Sequence, residues 1–339
     1  GFFGYAFGYS MFTGEAQCPG ADPANGIPPP YVGGIGGAPC TNLNRSTKDS
    51  GNTPKLSLTY KFDEQRLVYA TYSKGFRPGG QNRRTTFRDG TPIPAFKPDF
   101  LTNYEIGWKT SWAANSVRFN GALFWLDWKD FQYSFLGANG LTIVTNAGGA
   151  RIKGVEADLQ WAATHALTLT AGATLLDSKL TADFCQEVSN SGVPKAPPGT
   201  PGLPADQICP VDSFAPSGSR LPVSPKFKGN VTARYLFALG DYEAHLQGAL
   251  IYQSNVLTSA LPSEQATLGI LPPYGTADFA AGLERGPYSL ETYVTNAFDK
   301  RTQNSRFINC TACSPLVYIT PGQPRVFGVR FGQRFGAGH

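Results

Sequence analysis

Along much of this chain, charged or polar residues occupy every second position and apolar ones fill the positions between. In "GVEADLQW", Val155, Ala157, Leu159 and Trp161 alternate with Gly154, Glu156, Asp158 and Gln160. "NYEIGWKTSW" sets Tyr104, Ile106, Trp108 and Trp112 against Asn103, Glu105, Gly107, Lys109 and Ser111. "KFKGNVTARYLF" sets Phe227, Val231, Ala233, Tyr235 and Phe237 against Lys226, Lys228, Asn230, Thr232 and Arg234. Period two is the mark of a β-strand, whose successive side chains leave opposite faces. Full charges at successive positions of one face are costly unless that face meets water.

The same reading gives about twelve strands, at roughly 1–13, 54–63, 66–77, 99–112, 115–136, 141–162, 166–180, 225–238, 241–255, 272–285, 288–300 and 322–335. Their connections alternate in length. Tight turns fall near 63, 113–115, 163–165, 239–241 and 285–287, and between them lie 14–53, 78–98, 137–140, 181–224, 256–271 and 301–321, most of them long and rich in Pro, Gly and Asn. Antiparallel neighbours then place every tight turn at one end and every long loop at the other.

Two architectures fit one apolar and one charged face with no helix to cover either: a two-sheet sandwich with wet outer faces, or a closed transmembrane antiparallel β-barrel with lipid outside and water inside. Strand length favours the barrel, since sandwich strands run about 5 to 6 residues and tilted membrane-crossing strands about 9 to 11. Large aromatics gather beside the tight turns: Trp108, Trp112, Trp161, Tyr235, Phe237, Tyr242, Tyr288 and Phe335. Such rings suit the headgroup level of a bilayer. In "LTLTAGATLLD" the barrel puts Leu167, Leu169, Ala171, Ala173 and Leu175 against lipid and Thr168, Thr170, Gly172 and Thr174 in a wet lumen.

Composition agrees with an all-β chain: aromatics reach 13%, with 39 Gly, 27 Pro and one Met. No run of about 18 apolar residues suggests a transmembrane helix. Charged residues are 16% and the net charge is +5, without the basic stripe of a nucleic-acid binder. The opening "GFFGYAFGYSMF" reads as a strand and not as a secretory leader, so the chain is expected to be a mature protein or a piece of a longer one. Six cysteines fall in three close pairs, Cys18 with Cys40, Cys185 with Cys209 and Cys310 with Cys313, all on the loop side. Local disulfides in an oxidising compartment are the expected reading.

Specific words then point to a family. "LVYATYSKGFRPGGQN" (67–82), "FKPDFLTNYEIGWKT" (96–110), "VRFNGALFWLDWKDFQ" (117–132), "TNAGGARIKGVEADL" (145–159), "YVTNAFDKR" (293–301) and "PRVFGVRFGQRF" (324–335) occur in order. Together they resemble the C-terminal barrel part of TonB-dependent outer-membrane receptors. The resemblance implies a barrel of about 22 strands holding a plug. It also implies uptake of a scarce nutrient such as a ferric siderophore, haem or cobalamin, driven through a periplasmic energy-coupling protein. No segment here reads as the plug or the coupling motif, so residues 1–335 are expected to be the C-terminal part of the barrel. Residues 336–339 follow as a tail after the terminal aromatic. Open edges are forbidden in hydrocarbon, and residues 1–13 are expected to pair with 322–335.

A receptor of this kind binds and does no covalent chemistry. The candidate ligand contacts lie at and after "SKGFRPGG": Phe76, Arg77, Gln81, Asn82, Arg83, Arg84, Phe87 and Arg88. Guanidinium forks suit carboxylate or catecholate oxygens and aromatic rings suit flat faces. Arg83, Arg84 and Arg88 could equally meet lipopolysaccharide phosphates or water. Glu105, Lys109, Glu156, Asp158, Lys226, Lys228 and Arg234 are expected to line the lumen and face the plug. Gly79, Gly80, Gly148 and Gly149 read as turn or bulge glycines, since no helix follows them. No cofactor is expected. His165, His245 and His339 are too scattered to share a metal, and no nucleophile setting suggests an enzyme. A passive porin would share the fold but not the six words.

Overall fold

The computed structural model describes residues 47–82, 94–136, 142–187, 195–308 and 316–335. The chain runs through β1 (Lys55–Lys61), β2 (Arg66–Arg77), β3 (Asp99–Trp112), β4 (Val117–Lys129), β5 (Gln132–Leu136), β6 (Thr142–Asn146), β7 (Gly149–Ala162) and β8 (Leu167–Leu180). It continues through β9 (Phe184–Cys185), β10 (Phe214–Ala215), β11 (Phe227–Leu239), β12 (Tyr242–Gln253) and β13 (Val256–Leu257). A short helix, α1 (Pro262–Leu268), precedes β14 (Ile270–Leu271), β15 (Tyr274–Arg285), β16 (Tyr288–Thr295), β17 (Gln303–Phe307), β18 (Tyr318–Pro321) and β19 (Val326–Gln333).

Eleven strands make one sheet in the order β1-β2-β3-β4-β7-β8-β11-β12-β15-β16-β19. Every pairing is antiparallel, an up-and-down meander. The other strands form four two-stranded ribbons, β5-β6, β9-β10, β13-β14 and β17-β18, and each lies inside a long connection. Among the described residues β1 and β19 each have one neighbour, so the sheet is open there. The expected strand 1–13, and with it the expected closure onto β19, lies outside the described residues.

Two expected strands are broken. The run 115–136 divides into β4 and β5 at Asp130, which takes a left-handed φ of 54°. The run 141–162 divides into β6 and β7 at Ala147 and Gly148. There a Cβ on Gly148 would stand 2.7 Å from the Ala182 Cβ, so a close approach sets the residue type. The strand expected to reach 300 stops at Thr295, because Asn296 is left-handed with φ 47°.

Register carries the alternation across the sheet without a slip. Leu58, Ala70, Ile106, Leu123, Val155, Leu175 and Phe227 form one row over seven strands. Val231, Leu250 and Ala277 share another, as do Leu290 and Phe331. This face is bare: Ile106 is 61% exposed, Leu250 57% and Phe331 66%. A face of that extent cannot rest in water. At the tight-turn end it carries Trp112, Trp161, Tyr235, Tyr242 and Tyr288, all exposed. Arg66 lies 5.1 Å over the Trp112 ring and Arg285 5.3 Å over Tyr242, as cations do at a headgroup boundary.

The packed hydrophobic core of the described residues touches the sheet only at its rim. It lies at the long-loop end, where Tyr133, Ile143, Ala147, Leu180, Phe184, Leu221 and Leu261 pack together, with Trp128 and Phe131 against them. Three connections, 130–148, 181–226 and 254–273, thus share one packed cap. A buried polar link joins two of them: the Tyr133 hydroxyl lies 3.2 Å from Ser259 Oγ and accepts from the Ala260 N–H at 3.4 Å. Cys185 is joined to Cys209 in the same cap, with Cα atoms 5.9 Å apart. Cys18, Cys40, Cys310 and Cys313 lie outside the described residues.

Candidate functional site

At the long-loop end of β2 the strand alternation sorts the first candidate residues. Phe76 leaves on the apolar face, where it stacks on Phe100 with ring centroids 6.0 Å apart. It is therefore turned away from Arg77, which leaves on the polar face. Arg77 Nε donates to both oxygens of Asp99, at 3.1 and 3.0 Å, and its Nη2 also reaches Oδ2. The Arg77 guanidinium also lies 5.0 Å over the Trp128 ring. Asp99 is 1% exposed and accepts a further bond from the Gln132 N–H at 3.2 Å. A carboxylate so buried needs its cation, so Arg77 holds the rim together.

Asn82 has a comparable task. It is buried, and its side-chain amide donates to the Val144 and Pro94 carbonyls at 2.8 and 3.0 Å while accepting from the Val144 N–H at 2.8 Å. Asn146 repeats the pattern against Lys97, accepting from its N–H at 2.7 Å and donating to its carbonyl at 2.9 Å. Gln132 donates to the Pro78 and Lys97 carbonyls at 2.9 and 3.0 Å. The loop 78–98 is thereby tied to the β5-β6 ribbon. Gly79 and Gly80 permit the crossing: a Cβ on Gly79 would meet the Phe96 carbonyl oxygen at 2.4 Å. Gln81 is half-buried and bonds no other side chain among the described residues. Arg83, Arg84, Phe87 and Arg88 lie outside the described residues.

Down the polar face the register sets Glu105, Lys109, Glu156, Asp158, Lys228 and Arg234 on one surface, and Lys226 precedes β11 in the same phase. Tyr69 donates to Glu105 at 2.8 Å, Asn120 to Asp158 at 2.9 Å and Arg234 to Gln247 at 3.3 Å. Lys109, Glu156, Lys226 and Lys228 have no ion-pair partner among the described residues. A groove of about 640 Å³ runs between them, lined by Lys109, Asn120, Glu156, Asp158 and Lys228. Charges left unmatched in a groove are prepared for a polar partner.

Nearer the tight turns, His245 is buried with Nε2 3.2 Å from Glu291 Oε2, while Arg330 donates to Glu291 Oε1 at 2.7 Å. Among the described residues no three of His, Cys, Asp and Glu stand close enough to hold a metal.

In "YVTNAFDKR" Asn296 closes a knot. Its backbone N–H donates to Asp278 Oδ1 at 2.7 Å, its side chain donates to the Lys300 and Gln323 carbonyls at 3.0 and 2.9 Å, and it accepts from the Lys300 N–H at 2.8 Å. The Arg325 N–H, 3.1 Å from Asp299 Oδ1, holds that carboxyl below its ordinary value. Asparagine in a word that breaks off a strand pattern is the signal for such a turn.

This arrangement, a long antiparallel meander with one bare apolar face, one charged face and capped loops at one end, matches a known sequence family. Residues 31–297 match the sequence model of the TonB dependent receptor-like β-barrel. The chain belongs to the TonB-dependent receptor family. Its barrel is an outer-membrane one, and the family comprises receptors and transporters, not enzymes. The pesticin receptor of Yersinia enterocolitica (serotype O:8 / biotype 1B) is 30% identical over 131 residues, 39% of this chain and 19% of that one. The pesticin receptor of Yersinia pestis is 23% identical over 286 residues, 82% of this chain and 36% of that one. The chain thus spans about a third or less of the curated relatives it matches.

Solved structures agree on the fold of this TonB-dependent barrel. The ferric yersiniabactin uptake receptor of Yersinia pestis superposes with a TM-score of 0.60 at 19% identity, covering 84% of this chain and 37% of that one. The ferric-catecholate import receptor of E. coli K12 gives 0.59 at 20% identity, covering 94% and 40%. The siderophore receptor of Acinetobacter baumannii gives 0.57 at 20%, covering 82% and 35%.

Proposed function

We propose that the protein containing this chain is an outer-membrane receptor for energy-coupled uptake of a ferric siderophore or similar iron chelate. The observation that carries the reading is the unmatched charge in the polar-face groove below a packed cap. Lys109, Glu156 and Lys228 sit where a plug from the rest of the protein would fill a barrel. Residues 1–335 form the C-terminal part of that barrel, and its long connections 14–53, 78–98, 181–224, 256–271 and 301–321 face the cell exterior.

Ligand contacts come from the rim. Gln81, Arg83, Arg84, Phe87 and Arg88 offer amide, guanidinium and aromatic groups to the oxygens and flat faces of an anionic chelate. Arg77 and Asn82 position them by holding the loop. The periplasmic energy-coupling partner acts through the part of the protein outside this chain. Solved structures of receptors for ferric yersiniabactin, ferric catecholates and siderophores, similar in fold to this chain, support an iron chelate over haem or cobalamin.

The test is uptake of labelled ferric siderophores, haem and cobalamin by cells bearing the full-length protein, with and without collapse of the proton gradient. Uptake of one ferric chelate that stops with the gradient is the expected result. Entry indifferent to the gradient overturns the reading and makes the barrel a passive pore.

A further inference from the structure

The polar face of the sheet is not polar along its whole length. On β4 the side chains in phase with Asn120, toward the long loops, are Ala122, Phe124, Leu126 and Trp128, while Leu123 and Trp125 leave on the outer face. That half of β4 is therefore apolar on both sides. A strand that reads as a nearly continuous apolar run is one covered on both faces. Lipid covers the outer face, so the inner one calls for a second apolar cover.

Register extends the inner patch over four strands. Leu126 stands beside Ile152 of β7, and one row nearer the tight turns Phe124 of β4 and Leu176 of β8 flank Gly154. Both side chains lean over that glycine: a Cβ there would meet the Phe124 ring at 2.8 Å and Leu176 Cδ2 at 2.9 Å. Leu101 of β3 pairs with Trp128 at the margin nearest the long loops. Trp128 and Ile152 pack against the cap, but Leu101, Phe124, Leu126 and Leu176 lie outside that core and stay partly exposed. The next row toward the tight turns is Ala122, Glu156, Thr174 and Lys228. The patch thus forms a strip of inner wall between the cap and the groove that holds the unmatched charges.

Position narrows what covers it. Apolar surface left in water costs free energy in proportion to its area, and this strip borders the lumen. A transported solute passes and leaves, so it gives no permanent cover. The chain spans about a third of the relatives it matches, which leaves a long segment of the protein to fill the lumen. The strip is also continuous with the charged groove against which that segment is placed.

We propose that Phe124, Leu126, Ile152 and Leu176 form a water-excluding gasket, seated against an apolar edge of the plug, that stops solutes leaking along the wall. The inference rests on the reading of the protein as a plugged receptor. It goes beyond that reading by dividing the plug contact into a dry strip below the cap and a wet, charged groove beneath it.

The test uses cells bearing the full-length protein, with vancomycin as the probe of leakage and heat-modifiable mobility as the check on assembly. Leu126→Asp with Leu176→Asp is expected to raise vancomycin sensitivity about tenfold, since water follows a charge into an apolar contact. Leu126→Met with Leu176→Met, which conserves volume, and Thr170→Asp on the polar face keep the parent's resistance. In purified full-length protein free of iron chelate, Leu126→Cys is expected to react with a charged maleimide about tenfold more slowly than Thr170→Cys, because a packed contact excludes the reagent. This labelling carries the comparison alone if the double Asp variant does not assemble. Labelling at the two positions at equal rates overturns the gasket. So does an assembled double Asp variant as resistant as the parent, or Thr170→Asp cells as sensitive as those of the double variant. Parent cells that themselves admit vancomycin overturn the plugged-receptor reading as well.

Discussion

Tyr133 connects two loops through one hydroxyl, and its phenol is buried in the cap. Burial pushes its pKa up from the ordinary 10.0, because the phenolate would lose its hydration. A folded pKa above the unfolded one gives stability that is complete below pH 10.0 and lost as pH rises through the folded value. Alkaline titration followed by tyrosinate absorbance should therefore show one late-ionising tyrosine fewer in Tyr133→Phe than in the parent protein, with the cap loosening as Tyr133 ionises. Residue roles were the least legible part of the sequence. Arg77 reads as a ligand contact in the sequence because its partner Asp99 is 22 positions away and only the β2-β3 register brings them together. Asn82 looked like a ligand contact for the same reason, its partner Val144 being 62 positions distant. Phe76 could have been sorted from sequence alone, since its phase with Tyr72 already puts it on the apolar face.

At the scale of elements the alternation was decisive, and β2, β3 and the main-sheet pairing follow from it. A strand that crosses a membrane must be long and two-faced, so its sequence announces it. The ribbons in the connections have no such constraint. β5 continues the apolar rhythm of β4 past Asp130, and nothing in the pattern marks the left-handed turn between them. The faces make a sharp prediction: Leu159→Arg, near the middle of the apolar face, should cost about 2 to 4 kcal/mol and block assembly, while Thr170→Arg on the polar face is tolerated. Heat-modifiable mobility of the assembled barrel distinguishes them, and equal behaviour would mean the faces are misassigned. Replacing Cys185 and Cys209 by Ser should release about 3 kcal/mol of constraint on the 181–224 connection. Protease should then nick that connection while the barrel keeps its mobility; loss of the barrel would show that the bridge reaches further.

For the molecule as a whole, the alternation of tight turns and long connections predicts an orientation across the membrane. An epitope inserted at Gly218, a left-handed turn in the long connection, should be labelled on intact cells. One inserted at Gly240, in the tight turn between β11 and β12, should be labelled only after permeabilisation. The reverse pattern would invert the barrel.

The packed cap has a consequence for how such a surface can change. In the proposed orientation, the end of the barrel that faces the cell exterior is also where the described residues keep their water-excluding core, with Tyr133, Phe184 and Leu261 at its centre. Substitutions that evade recognition are thereby confined to the cap's outer skin, because a change one layer deeper would unseat three connections together. Escape at this surface is expected to proceed by repainting, with the shape beneath conserved.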